Sequence, residues 1–354
     1  MNCLLPTDFD RHDDVIVGVI ANPASGRDIR RLTAKASVFT AAEKANMVQR
    51  LLGPFGALGV DRVMIMPDSS GIAATVERSA QINRSRGASV WPLIEQVKMK
   101  STGGVEDSQN AARIMRDAGA RAIVVLGGDG THRVIAKVVP ELPLATLSTG
   151  TNNVFPDWRE ATVTGIATAL HVTGRIDPGI TLRRNKQLRV SLGEYTEIAL
   201  VDVCVTRLTH VGARAVWEPD TIAELFVAFA EPDAIGLSSI AAMINPLTRD
   251  EPRGLCLRCG TEGRRVLAAI APGVLETVVI DHCEIMQPGV SYAIRTERGS
   301  IALDGEREIE FHRGQVPRVT LELNGPATLD VSSTLAAAAR LGVMATPCAR
   351  EMLR

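Results

Sequence analysis

The chain of 354 residues carries 39 lysine and arginine side chains against 40 acidic ones, a formal net charge of −1 at pH 7. This balance gives no general attraction for nucleic acid or for an anionic membrane surface. The low aromatic content, 3%, argues further against a surface that stacks nucleic-acid bases. The length predicts two domains.

No segment reaches the roughly 18 uninterrupted apolar residues that a membrane span needs. The N-terminal residues also lack the basic and apolar stretches of a secretory signal. We therefore expect a cytoplasmic protein without a nucleic-acid or membrane partner. Cysteines stay reduced in that compartment.

Strand-like and helix-like stretches alternate along the first half of the chain. Short apolar runs that suit buried strands cover residues 15–21, 62–66, 88–97, 122–126 and 143–147. Helical patterns lie between and after them, at residues 40–52, 72–82, 106–118, 131–139 and 161–171. The alternation predicts an α/β fold, with a parallel, Rossmann-like sheet covered by helices on both faces.

The pattern changes after about residue 174, where strands dominate. They are predicted at residues 187–192, 197–207, 264–270, 278–286, 291–296, 308–312 and 318–323, with one helix at 221–230. We therefore predict an N-terminal α/β domain (1–173) and a C-terminal antiparallel β-rich domain (174–330). A C-terminal helix within 331–354 is predicted to pack back on the first domain.

Two cysteines in the second half, Cys256 and Cys259, have CxxC spacing, and His282 and Cys283 could supply two more zinc ligands. The surrounding GLCLRCG alternates like a strand, which would point the two cysteines to opposite faces. We therefore favour a strand over a zinc site.

Three polar loops each follow a predicted strand of the first domain. They are NPASG (22–26), GGDGT (127–131) and STGTNN (148–153). The carboxyl ends of parallel strands share one edge of a sheet, and α/β sheets bind their ligands there. We expect the three loops to gather at that edge.

The GGDGT loop has glycines that let its backbone come close to a ligand, and it carries one carboxylate. Its glycines allow a tight turn, and the amides at the start of the following helix suit an anion. Asp129 beside a phosphate makes sense as a metal ligand or as a group that takes a proton from an attacking hydroxyl. The alternative is an ordinary strand-to-helix turn with Asp129 as the helix cap.

The two other loops offer hydrogen-bonding side chains. In the first, Asn22 and Ser25 precede Gly26 and the basic residues Arg27, Arg30 and Arg31, which can pair with phosphates. In the last, hydroxyl and amide side chains surround Gly150 and suit a wall that contacts a nucleotide. Taken alone, the first loop favours a helix-capping turn with solvated arginines, and an ordinary Asx turn is the alternative for the third.

The order NPxSG, GGDGT, TGTNN resembles the superfamily of NAD kinases and diacylglycerol or sphingosine kinases. Within it, the run LSTGTNNVFP looks most like the acetoin-catabolism X protein group. The resemblance implies transfer of a phosphoryl group from ATP, with Mg²⁺, to a hydroxyl. NAD is the first acceptor to consider, and a lipid or polyol is the second. It also implies a homo-oligomer. A non-catalytic regulator that binds NAD or ATP is the alternative.

The resemblance also implies roles for individual residues. Asp129 takes the position of the base, and Asp202 the acidic position of an Asn-Glu pair that holds NAD, although Val201 replaces the asparagine. The nucleotide-binding positions are Asn22, Ser25, Gly26, Gly127, Gly128, Gly130, Thr131, Thr149, Gly150, Thr151, Asn152 and Asn153.

A further element, Asp304-Gly305-Glu306, resembles the DGE element of the lipid-kinase branch, in which the two carboxylates would lie near a metal or the base. The alternative is a hairpin turn, since Asp-Gly is a strong turn signal. Ser238 and Ser239 are weaker candidates for substrate contacts. His132 could touch a phosphate, although an exposed side chain at a helix start is the commoner case.

Overall fold

The computed structural model describes residues 14–25, 39–87, 90–150, 152–209 and 219–345. The strands of the N-terminal half are β1 (Ile16–Ala21), β2 (Arg62–Ile65), β3 (Leu93–Gln96), β4 (Ala122–Gly127) and β5 (Leu144–Ser148). The helices around them are α1 (Ala41–Leu58), α2 (Ile72–Arg86), α3 (Val105–Asp117), α4 (Asp129–Val138) and α5 (Ala161–Val172).

These five strands are parallel neighbours in the order β3-β2-β1-β4-β5. Every residue of β1, β4 and β5 is buried. One face of the sheet packs with α3 and α4, and the other packs with α1, α2 and α5. Burial on both faces explains the continuous apolar runs, and the predicted Rossmann-like α/β domain is confirmed.

The second half of the chain is mostly β-structure. Its first elements are α6 (Pro178–Thr181), β6 (Leu182–Arg184), β7 (Gln187–Leu192), β8 (Tyr195–Ala199), β9 (Asp202–Thr206), β10 (Ile222–Val227) and α7 (Ser238–Ala242). The others are β11 (Gly254–Ala271), β12 (Val274–Met286), β13 (Ser291–Ala293), β14 (Gly299–Leu303), β15 (Glu306–Phe311), β16 (Arg318–Glu322), β17 (Ala327–Leu329) and α8 (Val331–Arg340).

Two antiparallel sheets form this half, in the orders β12-β11-β10-β9-β14-β15 and β13-β16-β7-β8. The predicted β-rich C-terminal part is therefore confirmed. Two short strands lie elsewhere: β17 pairs with β5 in parallel and with β6 antiparallel, so both extend the first sheet. Both strands lie within residues 174–330, the range predicted for the second domain, but they belong to the sheet of the first. The sequence of a strand does not indicate which sheet the strand joins. The following helix, α8, packs against α5.

Two predictions of secondary structure are wrong. Residues 221–230 were predicted as a helix from their composition, yet β10 is a fully buried strand between β9 and β11. A central strand buried on both faces needs no polar alternation, so its pattern does not separate it from a helix. Residues 197–207 were predicted as one strand, but β8 and β9 belong to different sheets.

The cysteine prediction holds. Cys256 packs against the core cluster that contains Phe226, whereas Cys259 lies in the cluster that contains Leu225. The two thiols therefore point to opposite faces of β11. Among the helices of the described ranges, none is both long and apolar enough to cross a bilayer.

Candidate functional site

The three polar loops lie together at the carboxyl ends of β1, β4 and β5, as predicted. The amide nitrogen Nδ2 of Asn22 donates a hydrogen bond to Oγ1 of Thr131 over 2.8 Å. The hydroxyl oxygens of Ser25 and Thr149 lie 2.9 Å apart. The first loop therefore contacts both of the others directly, and the three form one polar edge.

Asn153 joins the second and third loops. A Cβ atom on Gly128 would lie 2.8 Å from its Oδ1 atom, and one on Gly150 only 2.3 Å from it. A side chain at either glycine would therefore displace the Asn153 amide. Asn153 also donates from Nδ2 to Oγ of Ser148 over 2.8 Å.

Lys44 binds the backbone of the first loop. This contact was not predicted from the sequence. Its side chain lies in α1 and is buried, and Nζ donates to the carbonyl oxygens of Asn22 (2.8 Å) and Ser25 (3.0 Å). The only available signal was a lysine on the apolar face of a helical pattern. Its ammonium group satisfies carbonyls that the turn leaves without strand partners.

Asp129 is the first residue of α4 and is 7% exposed. Its carboxylate accepts hydrogen bonds from the backbone amides of Val154 (3.1 Å) and Phe155 (2.9 Å). The helix cap is Gly128, without a capping side chain, so the alternative of Asp129 as a helix cap is wrong. The carboxylate instead ties the start of α4 to the segment that follows the third loop.

The DGE element forms a hairpin turn between β14 and β15, which confirms the turn alternative. Asp304 and Gly305 both have positive φ angles, 50° and 79°. The Asp304 carboxylate accepts from the amides of Leu200 (2.9 Å) and Val201 (2.8 Å), and its Oδ2 atom lies 3.4 Å from Nε of Arg133. Burial raises the pKa of Asp304, while Arg133 and the backbone amides oppose that rise.

These contacts bear on the predicted magnesium pair. The Asp304 side chain is 0% exposed and its oxygens face backbone amides, so it does not fit the role of a metal ligand. Glu306 differs, because its carboxylate lies 3.7 Å from where a Cβ atom on Gly130 would stand. Among the described residues no cluster of three acidic, histidine or cysteine side chains could hold a metal ion.

Arg133 is the buried centre of an ionic cluster that the sequence did not reveal. Besides Asp304 it contacts the carboxylate of Glu308, and Oε2 of Glu197 lies 4.0 Å from its Nη1 atom. Burial works against the charged form, but Asp304 and Glu308 raise the pKa of Arg133 above its ordinary value. The cluster ties α4 to β8 and β15 and so fixes the two halves of the protein against each other.

A cleft of about 1030 Å³ opens between α3 and α4 on one side and β8 and β15 on the other, beginning at the first loop. This volume is at the upper end of the range of small-molecule sites, roughly 300–1,000 Å³. Both charge signs line it: Arg133, Lys137 and Arg307 with Glu106, Glu197, Glu308 and Glu310.

The remaining predicted residues are placed as follows. Asn152 donates from Nδ2 to the carbonyl oxygen of Ile270, at the tip of the β11–β12 hairpin, over 3.1 Å. Asp202 and its neighbour Val201 are both buried. Ser238 and Ser239 are buried in α7 rather than facing the cleft. The residues that lie outside the described ranges are Gly26, Arg27, Arg30, Arg31 and Thr151.

His132 is fully buried in α4, so its ring does not reach a bound phosphate. Its Nδ1 atom lies 2.8 Å from the carbonyl oxygen of Gly128, which makes this nitrogen the donor. The ring packs against Phe155 at a centroid distance of 5.9 Å. Burial lowers the pKa of His132 to about 4, so the ring is neutral in the folded protein at pH 7.

This lowered pKa predicts a loss of stability in acid. Between pH 6.5 and about 4, the unfolded chain takes up a proton on His132 that the folded protein does not. The free energy of unfolding should therefore fall through this window, by about 3 kcal/mol from this group. Denaturant titrations of the wild type and His132→Gln at several pH values measure the difference. The same dependence of the unfolding free energy on pH in the two proteins would contradict the prediction.

A Rossmann-like domain with three converging polar loops precedes an antiparallel β-rich domain in this chain. Residues 17–176 match the family model of the ATP-NAD kinase N-terminal domain, and residues 186–324 match that of the acetoin catabolism protein X C-terminal domain. Acetoin catabolism protein X of Cupriavidus necator is 41% identical over 338 residues, and the match covers 93% of this chain and 94% of that protein. The chain therefore belongs to the acetoin catabolism protein X family, and the resemblance found in its sequence is confirmed.

Among solved structures, yeast NADH kinase complexed with NADH is similar, with 12% sequence identity and a TM-score of 0.48. The match covers 96% of this chain and 91% of that one.

Proposed function

We propose that this protein transfers the terminal phosphoryl group of ATP to a hydroxyl group of a nucleotide acceptor, with NAD as the first candidate. The observation that carries the proposal is the direct contact of the three loops, through the Asn22–Thr131 and Ser25–Thr149 hydrogen bonds, at the start of α4. The first amides of a helix have no partner within it and suit a phosphate chain. The match to the ATP-NAD kinase N-terminal domain supports the same reading.

In the proposed reaction, the acceptor oxygen forms a bond to the γ-phosphorus while the bond to the bridging oxygen of ADP breaks. The acceptor's proton passes to a carboxylate. Asp129 takes this role by family resemblance, and Glu306, beside Gly130, is the second carboxylate at the loop. The protein contributes mainly positioning and charge stabilisation. Asp304 is enclosed by backbone amides and Arg133 and does not fit as a ligand of Mg²⁺.

One residue of the second half argues against NAD as the acceptor. Val201 stands where the resembled kinases carry the asparagine that holds NAD. Its side chain is buried among apolar groups and has no hydrogen-bonding atom. This departure keeps a lipid or polyol acceptor as the alternative substrate. Together with the amide contacts of Asp129, it also favours a second candidate function, a regulator that binds the nucleotide without transferring phosphate.

One experiment separates these functions. The purified chain is incubated with Mg²⁺ and ATP labelled at the γ-phosphate, and with either NAD or diacylglycerol. We expect label in NAD. Label in diacylglycerol instead would contradict the choice of acceptor.

Melting curves with ATP or NAD accompany the assay, since a ligand at a hundred times its Kd stabilises the native state by about 2.7 kcal/mol. A raised melting temperature without labelled product would support the regulator. The absence of both stabilisation and transfer would overturn nucleotide binding altogether.

A further inference from the structure

The segment that follows the third loop is held from two sides. On one side, the amides of Val154 and Phe155 donate to the Asp129 carboxylate. On the other, the guanidinium group of Arg249 donates from Nη2 to the carbonyl oxygen of Val154, and from Nη1 to that of Phe155 over 2.9 Å. Residues 154–155 therefore lie between an anion of the first domain and a cation of the second half of the chain.

One peptide unit connects the two charged groups. The carbonyl of Val154 and the amide of Phe155 belong to the same peptide bond, so Arg249 binds its oxygen while Asp129 accepts from its nitrogen. A cation on the carbonyl polarises the peptide and makes its N–H a stronger donor, by roughly 10–30% per bond in condensed-phase estimates. The next residue is Pro156, whose nitrogen carries no hydrogen. The bond from Arg249 to the carbonyl of Phe155 therefore cannot strengthen an N–H donor in the same way.

Arg249 is itself held in one orientation. Its guanidinium carbon lies 4.4 Å from the ring centroid of Phe229 and 5.8 Å from that of Phe155. Its Nε atom lies 3.3 Å from the carboxylate of Glu231. The Arg249 side chain is only 14% exposed. Its planar guanidinium group stacks on the two rings and pairs with the carboxylate at the same time, which a lysine ammonium group cannot do.

The loop that carries Arg249 has an anchor of its own. Nζ of Lys186, at the end of the β6–β7 connection, donates to the carbonyl oxygens of Thr248 (3.0 Å), Glu251 (2.6 Å) and Arg253 (2.9 Å). These three bonds use all the donors of an ammonium group. The position of Arg249 is therefore set by the second half of the chain and not by the site loops themselves.

We propose that Arg249 is a positioning residue: it holds the peptide between Val154 and Phe155 so that this peptide orients the Asp129 carboxylate. The contact couples the site in the first domain to the loop 248–253 of the second. The effect of Arg249 on turnover rests on the proposed function, whereas its effect on the orientation of the Val154–Phe155 peptide does not.

Amide hydrogen exchange measured by NMR tests the structural part without any substrate. In Arg249→Met, exchange at the Phe155 amide should accelerate at least tenfold, while the Val124 amide in β4 stays at the wild-type rate. Arg249→Lys keeps the positive charge but loses the two parallel N–H donors of the guanidinium group. Its exchange rate at Phe155 should lie between those of the wild type and Arg249→Met. Arg258→Met is the matched control, because Arg258 lies in β11, pairs with Asp281 over 2.9 Å and should leave Phe155 unchanged.

Two outcomes would overturn the proposal. One is an unchanged rate at Phe155 in both Arg249 variants. The other is equal acceleration at Phe155 and Val124, which would reduce Arg249 to a contributor to global stability. If Arg249→Met does not fold, the comparison of Arg249→Lys with Arg258→Met decides.

If phosphoryl transfer is established, Arg249→Lys should lower kcat several-fold with little change in the KM for ATP. The same change should have no further effect in the background of Asp129→Asn. Failure of the transfer assay would leave the exchange result intact, so the two proposals can fail separately.

Discussion

Asp129→Asn is expected to lower the turnover of phosphoryl transfer well over tenfold, on the order of 10²-fold, because an amide cannot accept the acceptor's proton. The change should also destabilise the fold by about 1–3 kcal/mol. An asparagine retains one acceptor oxygen for the amides of Val154 and Phe155 and turns a donor group toward them. Turnover at saturating substrate and denaturant unfolding measure the two effects separately.

Glu306→Gln is the matched comparison for Asp129→Asn. Both changes neutralise a carboxylate at the start of α4, but Glu306 does not hold the 154–155 segment. If the proton passes to Asp129, Glu306→Gln should retain most of the turnover. Wild-type turnover in Asp129→Asn, with a large loss in Glu306→Gln, would transfer the role to Glu306.

Arg133→Met is expected to have the largest effect on stability, a loss of about 3–5 kcal/mol in the free energy of unfolding. The guanidinium group is buried against Asp304, whose side chain is 0% exposed. Removing it leaves a buried carboxylate that accepts hydrogen bonds from backbone amides, and a buried charge without a counter-charge is costly. The midpoint of urea unfolding at pH 7 measures the loss.

Arg313→Met is the control for Arg133→Met. Arg313 pairs with Glu297 over 3.1 Å, but both side chains are more than 70% exposed, and exposed pairs contribute about 0–1 kcal/mol. The double variant Arg133→Met with Asp304→Asn should lose less than the sum of the single changes, since it removes both charges. Strict additivity would show that Arg133 stabilises through packing rather than through Asp304.

Much of the candidate site follows from local sequence. The apolar runs before NPASG, GGDGT and STGTNN predict buried parallel strands, and parallel strands place their carboxyl ends at one edge. The meeting of the three loops is therefore predicted without knowledge of the second domain, but the hydrogen bonds of Asn22 with Thr131 and of Ser25 with Thr149 come from the structure. The cysteine pair in β11 is a similar case, because the alternation of a strand alone separates the two thiols.

Other parts of the site depend on partners that are distant in sequence. Asp129 binds amides that lie 25 and 26 residues away, and Arg133 binds a carboxylate 175 residues away. Arg249 stands among polar residues that read as a surface loop, and nothing near it in sequence indicates its contact with Val154.

Local patterns therefore determined the parallel sheet, its helices and the meeting of three polar loops, because strand and helix periodicities depend on residues a few positions apart. Only the tertiary structure decided that Asp304 is enclosed rather than metal-facing, that β10 is a central strand, and that Arg249 reaches the site. The physical reason is that the burial and charge partners of a side chain are set by which elements pack together, and that packing is a property of the whole chain.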